Sequence, residues 1–193
     1  MKIKNLICLV AGALLSLPSC AQKNNSEMNQ EQEDQNSKVL VTYFSATGNT
    51  RKAANDLAGV LGADVYEIKP EKEYSAADLD WTDTTSRCYY EMHNLEHRPV
   101  LAGNVENLAD YDTVFVGFPV WWYIAPTVIN TFIENNNLEG KAVVCFATSG
   151  GSPIEPCVSA LKAQYPSINW AGGKLLNRLS TEDLEDWKAE LGL

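Results

Sequence analysis

Short apolar runs alternate with segments of helical periodicity along most of this chain, and this order constrains the fold more than any other feature. The first run, Val39–Phe44, is rich in β-branched and aromatic residues, which favours a β-strand. Similar runs lie at 65–68, 113–118 and 142–147, with a weaker one inside 169–176. Apolar residues at helical spacing fill 50–61 and 126–133. A further helix is expected over 153–165, and a last one from Thr181, with Leu184 and Trp187 facing inward.

Apolar strands separated by helices predict a parallel sheet covered on both faces, because the right-handed crossovers place helices on each side. The sequence therefore predicts an α/β fold for residues 38–193: one domain with a doubly wound, five-stranded parallel sheet in an α/β/α sandwich. Ligands of such sheets bind at the carboxyl ends of strands, near the topological switch point. The loops after the first, third and fourth strands are therefore expected to form a site.

The loop after the first strand opens a helix and is predicted to cradle a phosphate. A helix N-terminus offers unpaired N–H groups and the positive end of the helix dipole. A plain capping turn needs only one hydroxyl or amide side chain, whereas this loop carries four, and its glycine allows close approach. Neither a Gly-Lys-Ser/Thr loop nor a G-x-G-x-x-G fingerprint is present. The residues assigned to the cradle are Ser45, Ala46, Thr47, Gly48, Asn49 and Thr50.

The loops after the third and fourth strands are predicted to flank a flat ring. Aromatic faces stack well on a flat heterocycle, and three large aromatics end the third strand. Successive side chains point in different directions, so we favour Trp122 for stacking, with Trp121 as the alternative. Small residues after the fourth strand let the backbone approach a ligand, although a simple turn is the other interpretation. The residues assigned to these loops are Pro119, Val120, Trp121, Trp122, Tyr123, Thr148, Ser149, Gly150 and Gly151.

The motif Ser-Ala-Thr-Gly-Asn-Thr at 45–50, directly after an apolar strand, resembles the phosphate loop of flavodoxins. The element order and the two later loops also fit, so the resemblance covers the whole domain and is to short, stand-alone flavodoxins. It implies a flavodoxin-like fold, FMN as cofactor, and backbone hydrogen bonds from 148–151 to the pyrimidine side of the ring. It further implies electron transfer with a redox partner protein or a small electron acceptor.

The loop Pro119–Tyr123 departs from the pattern of electron-carrier flavodoxins. Many of them stabilise the one-electron-reduced cofactor by flipping a peptide, usually at a glycine, and this loop has none. A peptide flip to positive φ is expected to cost free energy at Trp or Val. Strong stabilisation of the one-electron-reduced cofactor is therefore not expected, and two-electron chemistry remains an alternative. Three functions remain: an electron carrier, an FMN-dependent NAD(P)H:quinone-type oxidoreductase, and a non-redox binding module with an empty or vestigial flavin site. Ser149 lacks a Gly-x-Ser-x-Gly elbow, and no catalytic residue is assigned.

The connection between the second and third strands is long, and connections of that length are usually functional or carry their own elements. A helix is expected between Asp80 and Met92, beside the flavin. Trp81, Arg87 and Glu91 are candidates to contact a substrate. Because Arg87 and Glu91 are spaced i,i+4, the simpler interpretation is a surface pair worth about 0.5 kcal/mol.

The cysteines and histidines of the domain form no recognisable ligand set. Cys145 lies in an apolar strand and is expected to be inert packing, while pairing of Cys88 with Cys157 in an oxidising compartment stays open. His93 and His97 lack a third well-spaced ligand, so no metal is expected.

The first residues of the chain have the plan of a secretory signal. A short basic start is followed by an apolar run at 6–17, too brief for a spanning helix. The ending Leu-Pro-Ser-Cys at 17–20 resembles a bacterial lipobox, in which Cys20 becomes lipidated. The prediction is a lipoprotein signal peptide at 1–19, with two alternatives: an ordinary signal peptide or an uncleaved anchor.

Residues 20–37 are predicted to form a disordered tether that begins at lipidated Cys20. From 21 onwards the segment lacks aromatic and β-branched residues and cannot bury enough apolar surface to offset its ordering entropy. The whole chain carries a net charge of −10, which argues against nucleic acid or an anionic membrane as electrostatic partner. The expected location is the bacterial cell envelope, periplasmic or facing the outer surface, with membrane attachment by the lipid alone.

Overall fold

A computed structural model of the chain describes residues 38–193, and the predicted signal peptide, Cys20 and the tether lie outside these residues. The described strands are β1 (Val39–Tyr43), β2 (Asp64–Glu67), β3 (Thr113–Pro119), β4 (Ala142–Thr148) and β5 (Asn169–Leu175). The α-helices are α1 (Asn49–Leu61), α2 (Arg87–His93), α3 (Thr127–Asn135), α4 (Glu155–Gln164) and α5 (Thr181–Leu191). The strands pair in parallel in the order β2-β1-β3-β4-β5, which confirms the predicted α/β sandwich.

The two faces of the sheet bury separate apolar cores because strand side chains alternate in direction. Along β3, Val114, Val116 and Phe118 pack with α3 and α4. Phe115 points to the opposite face and packs there with α1 and α5, where Trp187 meets its ring at 5.6 Å. Burial on both faces explains why the central strands are apolar throughout.

The helix of the long connection is shorter than the sequence predicts. It begins at Arg87, because the preceding residues form turns in which Asp80 and Asp83 accept hydrogen bonds from Thr82 and Thr85. Such side-chain-to-backbone bonds compete with helix formation. Ser86 then caps α2 by accepting a hydrogen bond from the amide of Tyr89.

The cysteines of the described region are free and buried. Cys88 and Cys157 form no disulfide, so the structure supports no pairing of these two residues. Burial raises the pKa of Cys145 to about 12, which agrees with its expected role as inert packing. Burial also raises the pKa of Cys157 to about 11, so neither thiol is activated as a nucleophile.

Residues 38–193 contain neither a cluster of metal-binding side chains nor a helix fit to span a membrane. No cluster of three or more His, Cys, Asp or Glu side chains in this range could hold a metal ion. Within the same range, no helix combines the length and the apolar character that crossing a bilayer would require.

Candidate functional site

A cleft of about 750 Å³ opens at the carboxyl edge of the sheet, close to the reversal of strand order between β1 and β3. It collects residues from all three of the predicted loops. The predicted site residues that line it are Thr47, Asn49, Pro119, Val120, Trp121, Thr148, Ser149 and Gly150. The topology therefore brings together segments that lie about 100 positions apart in the chain.

The loop at 45–50 has the backbone geometry of an anion cradle. Gly48 adopts a φ of 90°, and an added Cβ would meet no atom within 4 Å, so the demand for glycine is conformational and not steric. The Gly48 amide donates to Ser45 Oγ at 3.1 Å. The first helical bond runs from Lys52 N to Gly48 O at 3.0 Å. The amides before it, those of residues 49–51, have no partner within the helix and face the loop.

The donors of this loop fit a dianionic group. Residues 45–50 contain no carboxylate, and the side chains of Thr47 and Asn49 are exposed at the cleft. Arg51 turns away and pairs with Glu67. The cradle itself is therefore built from neutral hydroxyl, amide and backbone donors at the positive end of a helix.

Thr50 has a different position from the other cradle residues. It is buried, and its hydroxyl shares a 2.8 Å hydrogen bond with the hydroxyl of Thr148, at the end of β4. This bond ties the phosphate loop to the loop after β4. The side chain of Thr50 therefore fixes the distance between two walls of the cleft.

Asn177, two residues after the end of β5, was not anticipated from the sequence and forms part of the site. Its side chain accepts a hydrogen bond from the Ser149 amide at 3.0 Å and donates to the Ser149 carbonyl at 2.7 Å. Ser149 Oγ in turn accepts from the Gly151 amide at 3.0 Å. These bonds hold 149–151 in place and leave Gly150 at the cleft wall. A polar residue after the fifth strand was the available sequence signal.

Two cations line the part of the cleft that lies between α1 and the β5–α5 connection. Lys52 Nζ is paired with Asp56 at 2.5 Å. Arg178 is exposed, has a φ of 58°, and forms no ion pair with any residue of 38–193. The sequence held no signal for Arg178, because only the fold brings it to the cleft.

The loop after β3 forms a tight turn with unusual backbone angles. Trp121 and Ile124 exchange backbone hydrogen bonds at 3.1 and 2.9 Å, and between them Trp122 and Tyr123 have φ values of 46° and 67°. Positive φ at both central residues corresponds to a type I′ turn. The loop thus adopts positive φ without glycine, at the cost that the sequence predicts, and the two backbone bonds hold it there. Such strain costs about 1–3 kcal/mol per residue and is common at functional sites.

Replacing Tyr123 by asparagine is expected to raise the free energy of unfolding by about 0.5–1 kcal/mol, because asparagine tolerates the left-handed region. Tyr123 is 58% exposed, so little packing is lost. Chemical denaturation of the protein without ligand measures the change. Tyr90→Asn is the control: Tyr90 is similarly exposed but lies in helix α2, where asparagine should not stabilise. Equal effects of the two changes would contradict strain at Tyr123.

The two adjacent tryptophans occupy different surroundings. Trp121 lines the cleft and packs edge-on against Phe44 and Tyr74, with ring centroids 5.8 and 5.6 Å apart. Trp122 is 38% exposed and packs edge-on against Tyr89 and His93 of α2. The favoured stacking residue from the sequence, Trp122, therefore does not line the cleft, whereas the alternative, Trp121, does.

The expectation of a surface pair at Arg87 and Glu91 is wrong. Glu91 has no exposed surface, and its two carboxylate oxygens accept hydrogen bonds from Arg87 Nε at 2.6 Å and the Tyr74 hydroxyl at 2.5 Å. The i,i+4 spacing is met, but the Tyr74 hydroxyl and the Lys72 carbonyl contact the pair, and only 16% of the Arg87 side chain is exposed. Trp81, the third candidate in this segment, is 69% exposed and does not line the cleft.

The family model and the solved structures that this chain resembles are of flavodoxins or flavoproteins. Residues 38–191 match the family model described as Flavodoxin. Two candidate flavoproteins of known crystal structure, from Bacteroides eggerthii and Bacteroides uniformis, are 47% and 48% identical, with TM-scores of 0.80 and 0.77. They cover 81% and 79% of this chain, and 99% and 98% of their own chains are matched. A flavoprotein from Lactobacillus acidophilus, crystallised in complex with FMN, is 22% identical, has a TM-score of 0.64, and matches over 80% of this chain and 97% of its own. No curated protein matches the chain.

Proposed function

The chain belongs to the flavodoxin family, and on this premise we propose that it binds FMN in the cleft and transfers electrons to a redox partner. The observation that carries the proposal is the cradle at 45–50: neutral donors and unpaired helix amides surround a left-handed glycine at the topological switch point. A similar fold holds FMN in the relative from Lactobacillus acidophilus.

The residues of the cleft divide into two ends. Thr47, Asn49 and the first amides of α1 would hold the phosphate, with Arg178 as the nearby cation that attracts it. Trp121 and Gly150 would contact the ring from the loops after β3 and β4. When bound, the flavin supplies reversible uptake and release of electrons, and the protein supplies position and electrostatics.

The contacts between loops determine how rigid these two ends are. The hydroxyl bond from Thr50 to Thr148 and the paired bonds from Asn177 to Ser149 connect loops of β1, β4 and β5. Because these loops are already linked, binding of a cofactor carries only a small entropic cost for ordering the protein. These linked loops therefore favour tight binding of a cofactor.

A second candidate function is an FMN-dependent NAD(P)H:quinone-type oxidoreductase. Trp122 and Tyr123 are exposed aromatic residues of the loop after β3, and Trp121 of the same loop lines the cleft. Exposed aromatic residues at such a place are typical of sites that receive a flat substrate or a partner. An oxidoreductase would use this surface to bind its electron acceptor directly, whereas an electron carrier would use it to contact another protein.

The absorbance spectrum of the purified protein tests FMN binding. We expect a yellow protein, or a colourless one that becomes yellow and quenches flavin fluorescence when FMN is added. Consumption of NADH or NADPH with a soluble quinone would select the oxidoreductase, and its absence with rapid electron exchange to another redox protein would select the carrier. A protein that stays colourless with excess FMN would refute both.

We also propose that Cys20 carries a lipid that anchors the protein in the cell envelope. The support is the Leu-Pro-Ser-Cys sequence at 17–20 after a short apolar run. Cys20→Ser is expected to move the protein from the detergent phase to the aqueous phase in a detergent-partition assay and to abolish labelling with a radioactive fatty acid. Cys88→Ser, a change at a buried cysteine of the domain, is the matched control and should keep both properties. Unchanged partition of Cys20→Ser would contradict the anchor.

A further inference from the structure

We infer that Tyr74, Arg87 and Glu91 form a positioning network that holds Trp121 against the ring end of the cleft. None of the three residues lines the cleft, so they act through Trp121 and do not touch the cofactor. The inference rests on the proposed function, because it concerns how the ring end of an FMN site is shaped.

The network is built on a carboxylate that is completely removed from solvent. Glu91 Oε1 accepts from Arg87 Nε at 2.6 Å, and Oε2 accepts from the Tyr74 hydroxyl at 2.5 Å. His97 Nε2 lies 3.9 Å from Glu91 Oε1 at the solvent side. A buried ion pair is weak evidence for stability, because desolvation offsets its attraction, and its best-attested role is to impose one arrangement on its surroundings. A positioning role is therefore the better account of these contacts.

Tyr74 is fixed by three contacts with different chemistry. Its hydroxyl is bonded to Glu91, and the Arg87 guanidinium carbon lies 3.9 Å from the centroid of its ring. Phe44 packs against it with centroids 5.5 Å apart. Arg87 is held in turn, since its Nη1 donates to the Lys72 carbonyl at 2.6 Å. Burial, followed by the charge of Glu91, raises the pKa of Tyr74, so its hydroxyl remains a donor at any working pH.

Trp121 is the point at which this network reaches the cleft. Its backbone is fixed by the exchange of hydrogen bonds with Ile124, but that leaves the direction of its indole ring open. The ring direction is determined by Tyr74 and Phe44, which meet it edge-on at interplanar angles of 81° and 86°. Phe44 also directly precedes the phosphate loop. The network therefore joins the long connection, the phosphate loop and the ring loop in one packed cluster.

The test compares two tyrosines that both donate to a carboxylate. Tyr74→Phe removes the bond to Glu91, and Tyr111→Phe removes a 2.8 Å bond to Asp64 at the opposite edge of the sheet. We expect Tyr74→Phe to weaken the binding of FMN and of riboflavin equally, by about three- to tenfold, the range expected for loss of one hydrogen bond, because the phenylalanine ring is no longer tied to Glu91. The ratio of the two affinities should stay constant, because the phosphate loop is untouched. Tyr111→Phe should change neither affinity.

A second readout follows Trp121 in the protein without ligand. Fluorine NMR of protein labelled with 5-fluorotryptophan, with its signal assigned through Trp121→Phe, should show the Trp121 resonance shifted or broadened in Tyr74→Phe and unchanged in Tyr111→Phe. Arg87→Lys is the second variant, in case Tyr74→Phe does not fold. It keeps the charge beside Glu91 but loses the planar group over Tyr74, and it should also move the Trp121 signal.

The outcomes distinguish a failure of this inference from a failure of the proposed function. If the unmodified protein binds FMN and both network variants keep wild-type flavin affinities and an unmoved Trp121 resonance, this inference alone is overturned. If the unmodified protein binds no FMN, the proposed function fails, and the inference that depends on it fails as well. A shifted Trp121 resonance with equal losses for FMN and riboflavin supports the network.

Discussion

Replacing Thr47 and Thr50 together by alanine is expected to weaken FMN binding by about 3 kcal/mol, which is more than a hundredfold in Kd. Thr47 is exposed at the cleft, where its hydroxyl can donate to a phosphate oxygen, and a hydrogen bond to a charged group is worth about 1.5–3 kcal/mol. Thr50 contributes differently. Its removal breaks the bond to Thr148 that links two walls of the cleft.

Comparison with riboflavin makes this test specific to the phosphate. Titration with each flavin, followed by fluorescence quenching, should show a large loss for FMN and a much smaller loss for riboflavin, which has no phosphate. Thr84→Ala, in the exposed turns before α2, is the control and should leave both affinities unchanged. Equal losses for both flavins would place the defect in the general shape of the cleft, and unchanged FMN affinity would remove the assignment of the loop.

Gly117→Ala is expected to lower the free energy of unfolding by about 3 kcal/mol, at the upper end of what overpacking of a core costs. Gly117 lies inside β3, and a Cβ there would overlap the ring of Phe146 on the neighbouring strand. Phe146 is fully buried, so its ring has no free space to enter. The clash can be relieved only by moving the buried Phe146 ring or one of the two central strands.

Gly59→Ala provides the matched control for this change. Gly59 lies in helix α1, and an added Cβ would meet no atom within 4 Å. The same substitution should therefore stabilise the protein by about 0.5–1 kcal/mol, because alanine is the better helix former. Denaturant unfolding of both variants gives the two values. Equal changes in the free energy of unfolding for Gly117→Ala and Gly59→Ala would contradict the packing assigned to Gly117.

The positions of the helices and strands were largely predictable because their signals are local. Continuous apolar runs marked the buried strands, and apolar residues at helical spacing marked α1, α3 and α5. The start of α2 was missed, since the turns at Asp80 and Asp83 compete with the helix through their side chains. The turn at 45–50 was predictable as well, because its polar side chains and its glycine are consecutive in the sequence.

Other features of the site could not be predicted, because they depend on partners far away in the chain. The spacing of Arg87 and Glu91 suggested a surface pair, and only the fold shows Tyr74 covering it. Asn177 and Arg178 follow the strand whose signal was weakest, so the one available signal, a polar residue after the fifth strand, was not recognised. The choice between the two tryptophans likewise depended on which of them turns toward the cleft.

The sequence by itself determined the α/β class, the order of the elements and the neutral cradle at 45–50, since periodicity, β-branching and a run of donors act over a few residues. Only the tertiary structure decided that Thr50 bonds to Thr148, that Glu91 is buried, and that the turn at Trp122 accepts positive φ. The physical reason is distance along the chain: the bond between the two threonines joins residues 98 positions apart. Burial and strain at a residue are set by what the rest of the chain packs around it.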